Sequence, residues 1–443
     1  MMRVVREISG WGRHPRLVVD ELLGEDLERL TRDVVLTRGL GRSYGDSSLP
    51  PREGARVACT RMADRILRFD PKAGALRAEA GLSLARLEAR MLPRGYASPV
   101  VPGTQHVTIG GMVAADVHGK NQHRAGSFGD HVRSLRMRLA DGRIVEVNES
   151  REPELFRATI GGMGLTGHIL EVEFTLERIP SPWIWREHQR VDGLDALLDE
   201  LGRASASWPY TVAWVDCLTR GPAMGRGIVI KGRWATADEA PQAKNHPRMR
   251  TAKLAVPFEL PGFVLSRPAV RTFNELYYRW LGAPTARGIS DPQHFFYPLD
   301  AIRDWNRLYG KRGFTQYQCV LPRAEARRLF EVLTRHGGAS FLAVVKDFGR
   351  TGRGLLSFPM PGVTVSLDVP LRGEKTQRLV DALNEVVAAA GGRIYLAKDT
   401  LTRPDHFRAM EPRLAHWNAV RRTWVKDGAI SSAQAVRLLG DGA

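Results

Sequence analysis

Cysteine is scarce: the 443 residues contain three, Cys59, Cys217 and Cys319. Thiols so few and so scattered exclude a disulfide framework and offer no paired metal ligands. Long apolar runs are missing as well. No stretch reaches the roughly 18 apolar residues of a bilayer-spanning helix. Met1-Met-Arg-Val-Val-Arg-Glu7 lacks the apolar centre of a signal peptide, so a cytoplasmic chain is expected. Acidic residues are outnumbered, 48 against 65 Lys and Arg, for a net charge of +17. The excess is dispersed. No helix-turn-helix, zinc-finger or RNA-recognition signature accompanies it, which argues against nucleic acid. Low-complexity linkers and internal repeats are absent too, and the length suits two or three domains.

Glycine, by contrast, is plentiful and clustered. Thr37-Arg-Gly-Leu-Gly-Arg-Ser-Tyr-Gly-Asp46 sets Gly39, Gly41 and Gly45 among small hydroxyl residues, directly after the apolar Val34-Val-Leu36. Glycine permits positive φ and close backbone approach, so such a loop can aim several N–H groups at one anion; ligand-free turns share this composition. The spacing matches neither the dinucleotide G-x-G-x-x-G nor the P-loop. Two more glycine-rich stretches follow, Pro99 to Asp130 and Thr159 to Gly167. Three such loops between strand-like runs suit one long groove, which fits an extended cofactor such as FAD better than ATP.

The first two loops resemble the pyrophosphate- and isoalloxazine-binding loops of the vanillyl-alcohol-oxidase (PCMH-type) FAD oxidoreductases. Gly39-Leu-Gly-Arg-Ser-Tyr-Gly-Asp46 followed by Asp116-Val-His-Gly-Lys-Asn121 is more restrictive, and is similar to the decaprenylphosphoryl-β-D-ribose 2′-oxidase family. Gly10-Trp-Gly-Arg13, Phe296-Tyr-Pro-Leu-Asp300, Gln316-Tyr-Gln318, Leu356 to Gly362 and Tyr395-Leu-Ala-Lys-Asp399 extend the likeness along the chain. The resemblance implies an α+β, two-domain PCMH-type FAD-binding fold with a helix-covered antiparallel-sheet substrate domain. Residues 1–178 would bind FAD, 179–392 the substrate, and 393–443 would return to the FAD domain. It also implies oxidation of a secondary sugar hydroxyl, the 2′-OH of a polyprenyl-phosphoryl-β-D-ribose, by hydride transfer to flavin N5. A short-chain dehydrogenase/reductase partner would complete an epimerisation to the arabinose form. An aldonolactone or other sugar-alcohol oxidase of the same superfamily is the alternative. A nonenzymatic membrane or nucleic-acid binder would leave the glycine loops without a role.

Carried over residue by residue, the FAD contacts are Arg38, Gly39, Leu40, Gly41, Arg42, Ser43, Tyr44, Gly45, Asp46, Ser47, Gly103, Thr108, Ile109, Gly110, Gly111, Ala115, Asp116, Val117, His118, Ile169 and Tyr395. Many relatives tether FAD through a histidine in the first loop; Arg42 and Tyr44 stand there instead, so noncovalent FAD is implied. Lys398, Tyr44 and His118 are the expected catalytic residues. A lysine of lowered pKa can accept the alcohol proton, and its charge can stabilise the reduced cofactor. His118 is equally compatible with a buried hydrogen-bonding role, and Lys346, in a strand pattern, with simply facing water. Tyr297, Gln316, Gln318, Lys346, Ser366 and Lys398 match substrate-pocket positions. Gln316 and Gln318 alternate along a strand, so they share a face. Ser366 stands where the mycobacterial members carry the cysteine that nitroaromatic inhibitors trap. No metal is expected.

Helices are expected at Leu84 to Leu92, Leu194 to Ala204, Ala324 to His336 and Thr376 to Ala390. Strands are expected at Val132 to Leu139, His168 to Leu176, Thr211 to Cys217, Gly227 to Gly232, Phe314 to Leu321, Ser340 to Phe348 and Val363 to Val369. Between Lys244 and Arg271, cations flank the apolar Leu254 to Leu265. Such a segment suits either contact with an anionic membrane surface or a loop packed on the enzyme. The resemblance adds weight to the first, and with it to a peripheral place at the inner membrane.

Overall fold

The computed structural model describes residues 1–240, 252, 254–280, 285–426 and 428–441. Three sheets carry the architecture. A four-stranded sheet at the N-terminus has the spatial order Met2–Ser9, Arg16–Leu23, Arg56–Cys59, Leu36–Arg38. Its outer hairpin escaped the sequence reading. Met2–Ser9 leaves most of its residues in solvent, so no apolar alternation marks it. The last strand, Leu36–Arg38, delivers the chain into the first glycine loop.

The second sheet runs Ile66–Asp70, Ala75–Glu79, His168–Thr175, Val132–Arg138, Ile144–Val147, every neighbouring pair antiparallel. Its apolar side holds Leu76, Ala78, Leu135, Met137, Val172 and Phe174, all buried. The helix Leu84–Met91 closes on that core with Leu84, Leu87 and Met91, the spacing of one helical face. Ser83 caps it by accepting from the Arg86 amide. The helix Ile109–Ala114 packs beside it; the side chain of its N-cap Thr108 accepts from the Gly111 amide.

The third sheet has eight strands in the order Thr285–Ser290, Ile184–Val191, Gly227–Trp234, Tyr210–Val215, Ala343–Phe348, Gly362–Pro370, Phe314–Leu321, Arg393–Ile394. Helices Leu194–Ser207, Ala326–Arg335 and Glu374–Ala389 cover one face. Strand alternation sets up two unlike faces. In Gly362–Pro370, Val363, Val365, Leu367 and Val369 point into the core shared with Leu379, Leu383 and Val387. Burying one such aliphatic side chain contributes roughly 1.5–3 kcal/mol. Thr364, Ser366 and Asp368 face the other way. Element bounds follow the sequence expectation to within a few residues. The Ala343–Phe348 strand starts late because Ser340 turns the chain, its Oγ donating to the Leu342 carbonyl. Other elements went unread, among them the strand Ile184–Val191 and the helix Arg267–Trp280. Of the expected basic patch, Lys244, Arg248, Arg250 and Lys253 lie outside the described residues.

The chain after the Arg393–Ile394 strand reaches back to the N-terminal part. The Tyr44 amide donates to the Ala397 carbonyl (2.8 Å), and Trp417 Nε1 donates to the Ala158 carbonyl (2.9 Å). From the last helix, Ala433–Leu439, Arg437 grips Asp46 of the first loop (2.8 and 2.9 Å) and Asp399 (2.8 Å).

Candidate active site

The first glycine loop is built from backbone. Among the described residues, Tyr44 is the only position from Gly39 to Ser48 whose amide donates to another residue's backbone; the Asp46 amide meets its own carboxylate. Gly45, Asp46 and Ser47 are nevertheless buried, and Ser47 Oγ has no partner either. Buried donors without acceptors are costly, roughly 1–3 kcal/mol each, so a run of them fits an anionic ligand such as a pyrophosphate. Glycine at 39 and 45 answers to packing. A Cβ at Gly39 would strike Thr108 Oγ1, and one at Gly45 the Asp399 carbonyl oxygen. Gly41 needs its positive φ of 64°. The first loop therefore touches both the second loop and the lysine-bearing C-terminal segment.

Several expected cofactor contacts also brace the fold. The Arg38 guanidinium turns away from the loop's open side, donating to Ser48 (2.9 Å) and to the Ser9 carbonyl (2.6 Å). Asp46 is taken by Arg437. Asp116, fully buried with a φ of 40°, accepts from Ser127 Oγ (2.7 Å) and the Gly129 amide (2.8 Å), locking that turn; burial raises its pKa to about 6. The Gly110 amide donates to the Ala80 carbonyl, and Ile109, Val117 and Ile169 are core residues. Tyr395 donates to the Ala115 carbonyl (2.9 Å). Gly103, Leu40 and Gly111 stay at the surface, and Arg42 stacks on Trp11, 4.0 Å from the ring centre. The third glycine loop acts as a buttress: the Gly161 and Met163 amides donate to Val113 and Ala114, behind the second loop.

Opposite the loops stands the polar face of the eight-stranded sheet. Register pairs Gln316 with Asp368, Gln318 with Ser366, and Lys346 with Thr364. Gln316 Nε2 donates to Asp368 Oδ1 (2.5 Å) and lies 3.4 Å from the Tyr44 hydroxyl; Tyr309 donates to Asp368 Oδ2 (3.0 Å). Asp368 has no solvent exposure, and that burial lifts its pKa to about 7 against the hydrogen bonds from Gln316 and Tyr309 and the charge of Lys398. Lys398 Nζ sits 3.9 Å over the Tyr44 ring, a cation–π contact. Its pKa falls to about 7, first through desolvation, with Asp368 opposing and Lys346 adding. Lys346 falls to about 8 by desolvation. Both lysines keep partial exposure; the surrounding protein, rather than complete exclusion of water, weakens their charged forms.

His118 completes this group. Gln318 Nε2 approaches its Nε2 at 2.9 Å, and its ring packs edge-on against Phe348 (4.8 Å). Desolvation, followed by the charges of Lys346 and Lys398, holds its pKa well below the usual range, so the ring is neutral and accepts at Nε2. Nδ1 is left buried with no well-formed hydrogen bond; the Gly119 backbone gives a weak contact. The structure thus brings Tyr44, His118, Gln316, Gln318, Lys346, Ser366 and Lys398 onto one recess. Tyr297 is set elsewhere: its hydroxyl is 2.7 Å from Glu88 Oε1 inside the other core. Sequence reasoning missed Asp368, Tyr309 and Lys120. Asp368 was within reach, since Thr364, Ser366 and Asp368 repeat every second residue. Tyr309, in a short turn of helix, carries no such signal.

Unsatisfied loop amides beside a recess of titratable side chains fit a flavoprotein oxidoreductase. Comparison with known proteins agrees: residues 29–148 match the FAD binding domain family. The chain is 34% identical to the decaprenylphosphoryl-β-D-ribose oxidase of Mycolicibacterium smegmatis over 98% of its own length and 97% of that protein's. It is 27% identical to a putative D-arabinono-1,4-lactone oxidase of Neurospora crassa and to the L-gulonolactone oxidase of Mus musculus, over 33% and 32% of the chain. The chain belongs to the decaprenylphosphoryl-β-D-ribose oxidase family, and it is an FAD-dependent oxidoreductase.

Proposed function

We propose that the protein oxidises the 2′-hydroxyl of a polyprenyl-phosphoryl-β-D-ribose to a ketone, as the first half of an epimerisation. The observation that carries this reading is Lys398, part-buried, stacked on Tyr44 and electrostatically tied to Asp368. FAD, cradled noncovalently by the amides of Gly39 to Ser47, supplies the two-electron acceptor for the hydrogen leaving C2′. The hydroxyl proton goes to neutral Lys398 Nζ, whose pKa near 7 leaves it able to accept at neutral pH. Gln316 and Gln318 hold sugar hydroxyls, and neutral His118 fixes Gln318. Ser366 lines the same strand face. The keto product is the substrate for a carbonyl reductase of the short-chain dehydrogenase type. The lactone-oxidase reading rests on likeness over a third of the chain and gives the Lys346 and Lys398 charges no anionic ligand.

The lipid portion suits a chain working at the cytoplasmic face of the inner membrane. Leu254, Phe258 and Phe263 are exposed ahead of a helix carrying Arg267 and Arg271, with Phe273 and Leu276 exposed on it. No helix among the described residues is long and apolar enough to cross a membrane. Turnover of ribose deuterated at C2′ tests the reaction: a slowed flavin reduction and a product lacking that deuterium support it, whereas oxidation at another carbon refutes it.

A further inference from the structure

A third lysine enters the recess and has no role in the chemistry above. Lys120 follows His118 by two residues at the end of the second loop, and its Nζ donates to the Phe296 carbonyl at 3.1 Å. That carbonyl takes one of its three donors and neutralises nothing. The Thr211 amide donates to the Lys120 carbonyl (2.8 Å), and the Tyr210–Val215 strand pairs with Ala343–Phe348, which sets Lys120 beside the strand that carries Lys346. Desolvation first, then the charge of Lys346, lowers the pKa of Lys120 to about 7. Among the described residues neither forms an ion pair with a carboxylate, and the Lys346 ammonium makes no hydrogen bond. Asp368, the buried carboxylate on this sheet face, is felt by Lys398 and is occupied by Gln316 and Tyr309. Two cations without a carboxylate partner thus stand on neighbouring elements, the second loop and the Ala343–Phe348 strand; Lys120 also lies 5.5 and 5.7 Å from the Phe295 and Phe296 ring centres.

We propose that Lys120 and Lys346 form an anion clamp for the phosphodiester of the substrate, separate from the proton-accepting Lys398, and that this clamp selects phosphorylated over free sugars. The proposal rests on the lipid-phosphate sugar substrate proposed above. Like charges held together without a counter-ion are destabilised until a ligand supplies one. An ammonium pair suits a phosphate oxygen as a point-charge donor, with Phe296 fixing the direction of Lys120. Cofactor phosphate is a second source of the same chemistry, and FAD content separates the two.

The test uses the FAD-loaded protein and its Lys120→Met, Lys346→Met and Lys346→Arg variants. Farnesyl phosphate and farnesol serve as binding probes by calorimetry, and a polyprenyl-phosphoryl ribose and a neutral alkyl riboside as substrates. Each Met variant is expected to weaken farnesyl phosphate and raise the phosphorylated substrate's KM roughly 10- to 100-fold, the range for one charge-assisted hydrogen bond. Farnesol binding, FAD content and the riboside's KM stay level, and Lys346→Arg restores most of the affinity. Affinity for the phosphate probe also falls between pH 7 and 9, as the ammonium groups lose their protons. Equal losses for farnesol and farnesyl phosphate, or loss of FAD from the variants, would overturn the clamp. If lysine-dependent phosphate binding persists while no ribose substrate reduces the flavin, the proposed reaction fails and the clamp stands.

Discussion

The first glycine loop and the polar sheet face are opposite solutions to holding a ligand. The loop offers main-chain amides from Gly39 to Ser48, fixed from outside by Arg38, Thr108 and Arg437. The sheet face offers side chains, Gln316, Gln318, Lys346 and Asp368, fixed by a backbone ladder that is itself regular. A phosphate asks only for donors of the right direction, which backbone provides. A sugar hydroxyl undergoing oxidation asks for groups that change protonation, which backbone cannot provide.

If that division holds, the largest effects come from the side-chain region. Lys398→Met should lower kcat by about 10²- to 10⁴-fold while FAD stays bound, read by steady-state kinetics and flavin absorbance. The wild-type rate should rise through about pH 7, because the neutral amine is the proton acceptor. A flat pH profile would remove Lys398 from that role. Breaking the loop's external support comes next. Arg437→Met leaves Asp46 and Asp399 buried and unpaired, at a cost of about 3–5 kcal/mol in denaturant unfolding, with FAD lost on gel filtration. Gly45→Ala forces a methyl against the Asp399 carbonyl and should cost about 1–3 kcal/mol and weaken FAD, with little change in KM for the sugar.

Lys346→Met should do the reverse and stabilise the cofactor-loaded protein without substrate by of order 1 kcal/mol at pH 7. Its folded pKa, about 8, lies below the unfolded value of 10.5, so the unfolded chain binds more protons between those values. Stability from this group therefore rises with pH across that window, and the variant loses that slope. Thermal melts at pH 7 and pH 10 would show it. Ser366, part-exposed opposite Gln318, gives the smallest effect. Wild-type protein turning over with a nitroaromatic inhibitor should show no adduct by intact mass, and Ser366→Cys should gain one.

The same division explains what the sequence disclosed. Glycines crowded into Gly39 to Gly45 are visible because few other contexts want them, so the loop and its cofactor could be read directly. Lys398 and the Gln316–Gln318 pair were legible through resemblance and strand alternation. Arg38, Asp46 and Asp116 lie inside the motif, and their bracing contacts could not be read there, since bracing and binding use the same polar residues. Lys120 stands within a motif, and takes a role only where the fold sets it near the strand of Lys346. Tyr297 went the other way: a hydroxyl expected in the pocket is held by Glu88.

Anaerobic titration of the purified yellow protein tests the central claim most directly, with a polyprenyl-phosphoryl ribose and an aldonolactone added separately. Stoichiometric bleaching of the flavin by the lipid-linked ribose, with the lactone inert, is the predicted result. Bleaching by the lactone alone would leave the FAD loop in place and contradict the reading of the sheet face.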